Sequence, residues 1–364
     1  MKGGLYIKRV FCLVLLIVIQ SYLIAAESIP FQKKIILIQG QDFIAYPGDL
    51  AVLEDEYFFI CDIKDQKLML YDQNGRFQKS WKTIGQAPGE YQGVWLNDYD
   101  RPYLGVYDLR ARKLLIYRRV GLTEFKWIRD IHEIEGYVYD FKLHNERIYF
   151  DTPILFKNQY YFIHIVDFNE ETDEFCLPAA IRYGQTPDSD FRKPDGKFRA
   201  LWGPPRPFMD VFEGYIYSAW KGMLNILKID IATKEWTSFG HKTKTYSQPK
   251  TWNVTGKDYK IVEKWREENE HKCSWTAGIF VDNGLVGLIY LNYDEKQNCW
   301  TPILQLYDDM GVFLKEMSLA GAQAVYTRLI YNYSRDLGSL YILNMVEHNS
   351  GEVEYNILKY QIRE

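Results

Sequence analysis

A cycle of four short strands, recurring along the chain, constrains this sequence more than any single motif. Asp49–Glu56, Tyr57–Asp62, Lys67–Asp72 and Phe77–Ile84 form the first cycle, with Gln73-Asn74-Gly75 turning the chain between its last two strands. Each run is apolar or alternating and is bounded by turn residues, the pattern of antiparallel sheet. The Asn74-Gly75 pair is expected to supply the positive φ angles of a tight hairpin. The cycle restarts as Gly93–Asp98, Pro102–Asp108, Lys113–Arg118 and Glu124–Asp130, then as Tyr137–His144, Arg147–Asp151, Tyr160–Asp167 and Glu174–Arg182. A fourth follows as Pro207–Phe212, Tyr215–Trp220, Leu224–Asp230 and Glu235–Phe239, and a fifth as Thr276–Val281, Leu285–Leu291, Pro302–Asp308 and Val312–Leu319.

The sixth cycle has three strands, Val325–Tyr333, Ser339–Met345 and Glu354–Ile362, before the chain ends. Its missing member stands at the other end: Lys33–Ile38 precedes the first cycle and reads as a fourth strand. Both observations fit an all-β, six-bladed propeller of four-stranded antiparallel blades, closed by the N-terminal strand completing the last blade. Such closure also pairs edges that would otherwise invite aggregation. The 29 Tyr, 20 Phe and 10 Trp supply the aromatic residues that strands favour. Gly40-Gln41, Gly85-Gln86, Gly184-Gln185, Gly240-His241 and Gly321-Ala322-Gln323 each follow the outermost strand of a cycle, which makes them joints between blades. The fullest copy is Gly85-Gln86-Ala87-Pro88-Gly89-Glu90-Tyr91; Arg129–Gly136 lacks the motif.

Lys2, Lys8 and Arg9 followed by the apolar run Val10–Ile19 read as an export signal, with Ala25-Ala26-Glu27-Ser28 as its cleavage region. Residues 1–28 are therefore assigned to a signal peptide and 29–364 to the propeller, with a periplasmic or cell-surface location in a Gram-negative bacterium; an uncleaved anchor is the less favoured alternative. Thr255-x-x-Asp258 resembles a capping box, and Tyr259, Val262 and Trp265 recur at helical spacing, so a helix is expected as an insertion over about 256–272. With 44 Lys and Arg against 48 Asp and Glu, and no basic block, a nucleic-acid partner is not expected. No segment after the leader reaches membrane-spanning length. Outside the leader stand Cys61, Cys176, Cys273 and Cys299, among which a Cys273–Cys299 bridge is open; a monomer is expected.

The segment from Gly85 to Tyr91, followed by a strand and a Tyr-Asp-ended strand pair, resembles a group of secreted propellers from Bacteroides-type bacteria described as six-bladed and TolB-like or NHL-like. The resemblance covers essentially all of the chain after the leader and implies fold and export. It implies no reaction. The second copy, Gly184-Gln185-Thr186-Pro187-Asp188, departs from the pattern by lacking Gly-Glu.

The six histidines, His132, His144, His164, His241, His271 and His348, form no metal-ligand spacing, and no cofactor or metal site is expected. His164 lies within a strand, where a structural role is the better reading. There is no Gly-x-Ser-x-Gly elbow, and Asp72–Gly75 lacks the remaining ligands of a calcium loop. Glu54, Asp98, Asp140, Asp210 and Asp282 fall on the innermost strands, where carboxylates more often order water or an ion than do chemistry. The blade-to-blade joints should gather Glu90, Tyr91, Trp95, Trp202, Arg206, Trp275, Tyr326 and Arg328 around one mouth of the ring as ligand-binding candidates. For Trp95, packing between blades competes evenly with ligand contact. Aromatic faces with a few charges suit a glycan or peptide. The leading expectation is thus a binding module for a glycan, peptide or envelope protein, without an identifiable catalytic constellation. A hydrolase or lyase using channel carboxylates and an envelope assembly scaffold are the alternatives.

Overall fold

The structure, a computed structural model, describes residues 27–40, 42–132, 138–156, 159–167, 207–220, 224–233, 235–243, 246–247, 273–295, 299–324 and 328–363. The chain starts with two short strands, β1 (Glu27–Ile29) and β2 (Lys33–Ile36). Blade 1 follows as β3 (Pro47–Val52), β4 (Phe58–Asp62), β5 (Lys67–Tyr71) and β6 (Phe77–Trp81), and blade 2 as β7 (Val94–Asp100), β8 (Tyr103–Asp108), β9 (Lys113–Arg119) and β10 (Phe125–Ile131). Blade 3 contributes β11 (Asp140–His144), β12 (Arg147–Phe156) and β13 (Gln159–Asp167); its expected outer strand, Glu174–Arg182, lies outside the described residues. Blade 4 is β14 (Pro207–Phe212), β15 (Tyr215–Trp220), β16 (Ile226–Asp230) and β17 (Trp236–Phe239). Blade 5 is β18 (Trp275–Asp282), β19 (Leu285–Asp294), β20 (Cys299–Asp308) and β21 (Phe313–Leu319). Blade 6 takes β22 (Ile330–Ser334), β23 (Ser339–Glu347) and β24 (Val353–Gln361).

Closure is as the strand count requires. β2 pairs antiparallel with β24, Ile35 opposite Ile357, and completes blade 6. One strand was not anticipated: β1 lies parallel to β21 and widens blade 5 to five strands. The hairpin at Gly75 also differs from expectation. Only Gly75 adopts positive φ (75°), not Asn74. Asp72 is the reason: its Oδ1 accepts the Asn74 and Arg76 amides, each at 2.9 Å, and its carbonyl accepts the Gly75 amide at 2.8 Å. That carboxylate builds a longer turn ending in one left-handed glycine instead of a two-residue hairpin. The expected helical insertion lies outside the described residues, among which there is no helix.

Apolar side chains of adjacent blades mesh into a core at every seam. Between blades 6 and 1, Leu50, Phe58, Met69 and Tyr71 pack with Tyr341, Leu343 and Ile357. Comparable clusters fill the other seams, with Phe59, Tyr91 and Leu104 between blades 1 and 2, and Leu291, Leu304 and Leu340 between blades 5 and 6. Cys61 is buried in this packing as a small apolar residue, and it, Cys273 and Cys299 are thiols in the structure, so Cys273 and Cys299 are not bridged.

Two fully buried aspartates tie the ends of blade strands to the joints. Asp62 Oδ2 accepts the Ala45 amide at 2.7 Å, and its Oδ1 accepts those of Lys64 and Asp65 at 3.0 and 3.2 Å. Asp108 repeats the device in blade 2, accepting the Gln92 amide on Oδ2 and those of Arg110 and Ala111 on Oδ1 at 3.0 Å. Several backbone donors compensate the cost of burying each charge.

Candidate functional site

The inner strands β3, β7, β11, β14, β18 and β22 line the central channel, and each adjacent pair is joined by a side chain of one bonding to the main chain of the other. Asp49 Oδ2 accepts the Asn97 amide at 3.1 Å. Asp98 Oδ2 accepts that of Leu143 at 2.7 Å, and Asp140 Oδ2 that of Met209 at 3.1 Å. Asp210 Oδ2 accepts the Val281 amide at 2.7 Å. At the fifth seam a tyrosine replaces the carboxylate: the Tyr331 hydroxyl accepts from Ile279 N at 2.9 Å and donates to Ile279 O at 3.0 Å. Gly278 permits this, because a Cβ there would stand 2.3 Å from the Tyr331 ring. Asn332 Oδ1 closes the circle by accepting the Val52 amide at 3.3 Å.

The remaining carboxylate capacity in the channel is largely met by cations. Lys142 Nζ sits 3.3 Å from Asp98 Oδ1. Arg335 Nη2 lies 2.5 Å from Asp210 Oδ1, and its Nε and Nη2 donate to the carbonyls of Val281 and Val211 at 2.9 Å. Glu54 is held by Arg119 at 3.1 Å and by the Tyr99 hydroxyl. Asp282 takes Arg363 at 2.7 Å and the Tyr333 hydroxyl at 2.8 Å. All five carboxylates singled out from the inner strands thus have protein partners. Burial works against the charge of Lys142, yet Asp98 and Asp140, with Tyr331 and Asp210, outweigh it and hold the ammonium well above its ordinary value.

Where the inner strands end, the channel opens into a cavity of about 240 Å³ bordered by Asp100, His144, Asp210, Tyr333, Arg335 and Asp336. Burial first, then Asp98 and Asp336, push Asp100 up to about 6, against the Asn145 amide and Arg335. Burial and then Arg335 lower His144 below its ordinary value, against Asp210 and Asp98. Deeper along β11, burial pushes Asp140 up to about 7, with Asp49 and Asp98 adding and Lys142 opposing. Across the strand pair from it lies Asp151, 1 % exposed, with no hydrogen-bond partner among the described residues for either carboxylate oxygen. Burial, and then Asp140, raise Asp151 well above the usual carboxylate range.

Of the described residues expected to share one mouth, the structure brings two together and places the others elsewhere or in the core. Trp95 and Arg328 come together where the inner strands begin, with the guanidinium carbon 5.8 Å from the Trp95 ring centroid. Trp95 also packs into the core between blades 2 and 3. Trp275 is at the same end of its strand but only 3 % exposed. Tyr91 is fully buried, its hydroxyl donating to Trp81 O at 2.8 Å, so it belongs to the seam core. Glu90 turns its carboxylate into its own loop, accepting the Ala87 amide at 3.0 Å. Trp202, Arg206 and Tyr326 lie outside the described residues.

The joint itself is explained by these contacts. A Cβ on Gly85 would come within 1.8 Å of the Glu90 carboxylate, so the glycine makes room for the cap. Gly89, at φ 78°, lies flat against Trp127 and donates its amide to Asp130, whose Oδ2 is 2.6 Å from Lys113 Nζ. Beneath the joint, Phe59, Trp81, Tyr117, Phe125 and Trp127 border an aromatic pocket of about 350 Å³ between blades 1 and 2. Sequence reasoning did not single out Lys142, Tyr331 or Arg335; their only signal is a charged or hydroxyl-bearing residue in or just after an inner strand.

No family model and no curated protein matches the chain. Among solved structures it is similar to a protein of Bacteroides fragilis assigned as exported, at 10 % identity and a TM-score of 0.55, over 91 % of this chain and 95 % of that one. It is also similar to a streptogramin B lyase, at 12 % identity and a TM-score of 0.46, covering 91 % and 88 %. A calcium-binding regucalcin of Agrobacterium tumefaciens matches at 8 % identity and a TM-score of 0.46, covering 93 % and 97 %. At such identities the likeness is one of fold: the chain is a six-bladed β-propeller.

Proposed function

We propose that the chain is an exported propeller of the TolB-like kind that acts as a binding module for a glycan, peptide or envelope-protein partner, at the face where the inner strands begin. The observation that carries this reading is the use of the inner-strand carboxylates as struts: Asp49, Asp98, Asp140 and Asp210 each accept a main-chain amide of the next blade. Asp98 and Asp210, each fixed to a neighbouring backbone with the second oxygen on Lys142 or Arg335, are poorly placed to shuttle protons or attack a substrate, and Asp49 has both oxygens on main-chain amides. The basic, apolar start of the sequence supports export. No helix among the described residues is long and apolar enough to cross a membrane.

The test is a screen of the purified protein on glycan and peptide arrays. Specific retention of one ligand class supports the module reading, and a protein that retains nothing on either overturns the glycan and peptide forms of it. The second reading, a hydrolase or lyase, draws on one observation, the lift of Asp100 to about 6 beside a cavity. It requires turnover that falls with protonation of a group near that value and is lost in Asp100→Asn.

A further inference from the structure

Among the described residues, the cations that reach into the channel are not equivalent. Lys142 and Arg335 are engaged with Asp98 and Asp210. Among the described residues the Arg328 guanidinium has no side-chain hydrogen bond or ion pair; it lies over the face of Trp95. Arg328 precedes β22 of blade 6, and Trp95 belongs to blade 2, so the side chain bypasses blade 1. A contact between inner strands that skips a blade has to cross the channel mouth. Arg328 acts on the charge of Asp49, but both Asp49 oxygens already take main-chain amides, from Leu50 at 3.0 Å and Asn97 at 3.1 Å. An aromatic plane behind a guanidinium fixes its orientation and leaves its planar fork of donors free to accept a carboxylate through two parallel bonds.

From this geometry we infer that Arg328, backed by Trp95, is the anchor for a carboxylate on the ligand, and that the ligand is an acidic glycan bearing a uronate sugar. The inference rests on the binding-module reading and names its ligand class. A glycan is favoured over an acidic peptide because extended peptides are commonly held by main-chain pairing along a strand edge. Here the inner-strand amides of Val52, Asn97, Leu143, Met209 and Val281 are already taken by the struts.

Calorimetric titration of the full protein with trigalacturonate, its methyl ester and a Glu-rich tripeptide tests the inference. Trigalacturonate is expected to bind at least tenfold more tightly than the ester or the peptide. Arg328→Gln should abolish that preference and Arg328→Lys should retain part of it, with thermal melts of both variants confirming that they fold. Equal binding of acid and ester overturns the inference while leaving the module reading standing, as does a preference that survives in Arg328→Gln. Tighter binding of the tripeptide replaces the glycan with a peptide. No binding of any of the three probes also overturns it, and the array screen then decides whether the module reading fails too.

Discussion

Asp151 shows how one atom group can set the pH response of the molecule. Its carboxyl is buried without a hydrogen-bond partner among the described residues and faces Asp140 across the β11–β12 pair. Both groups have folded values above the unfolded one of about 3.9, Asp140 at about 7 and Asp151 well raised. A raised folded value means that the folded state holds the proton more tightly. The stability this contributes is complete below the unfolded value and is lost as pH rises through the folded values. Stability should therefore decline from about pH 4 through pH 7 and beyond on account of this pair. Asp151→Asn, which cannot ionise, is expected to gain about 1–2 kcal/mol at pH 8 and little at pH 4. Denaturant melts across that range check it, and a variant as pH-dependent as the wild type would remove the pair from the account. Nothing in the alternation Tyr149-Phe150-Asp151 announced this; an aspartate closing an apolar strand reads as a turn residue until its neighbour across the sheet is known.

The joint from Gly85 to Tyr91 was legible as a joint at the scale of the element, because its echoes fall at one phase of the strand cycle. Its chemistry was not legible. Glu90 and Tyr91 looked available to a ligand, and what decides otherwise is non-local: Trp81 for the tyrosine, and the missing Cβ of Gly85 for the glutamate. Gly89→Ala is expected to cost about 1–2 kcal/mol, since it places a side chain at positive φ against Trp127. Gly85→Ala should cost about 1 kcal/mol by displacing the Glu90 cap, and nothing further in a Glu90→Ala background. A double-mutant cycle by chemical denaturation reads that coupling directly. β22 offers the parallel case, with Arg335 just beyond it clamping Asp210 and two carbonyls of blades 4 and 5. Arg335→Met leaves the Asp210 charge with its two main-chain amides alone and is expected to cost about 2–4 kcal/mol, visible as a lowered melting temperature.

The architecture of the whole molecule was the most readable level. Strand length, turn residues and the odd count of the last cycle carry through to blade number and closure, because each blade is built from local hairpins. Interactions between blades were hidden, since the strut from Asp49 to Asn97 or from Asn332 to Val52 depends on the ring having closed. Removal of residues 1–38 should leave β24 with an open edge and uncover Ile357 and Leu358. The expected outcome is a species that self-associates in light scattering and melts without a single cooperative transition. A monodisperse, cooperatively melting product would mean that β2 is dispensable.

The pairing of β2 with β24 also imposes an order of events. The first part of the ring to be synthesised has as its partner one of the last, so the final blade cannot be completed until almost the entire chain is available. Blades 1 to 5 can form hairpins as they appear, but the step that joins the two ends brings together residues more than 300 positions apart, such as Lys33 and Lys359. Contacts of such separation form late and slowly. A ring closed in this way is completed only once β24 is available to β2.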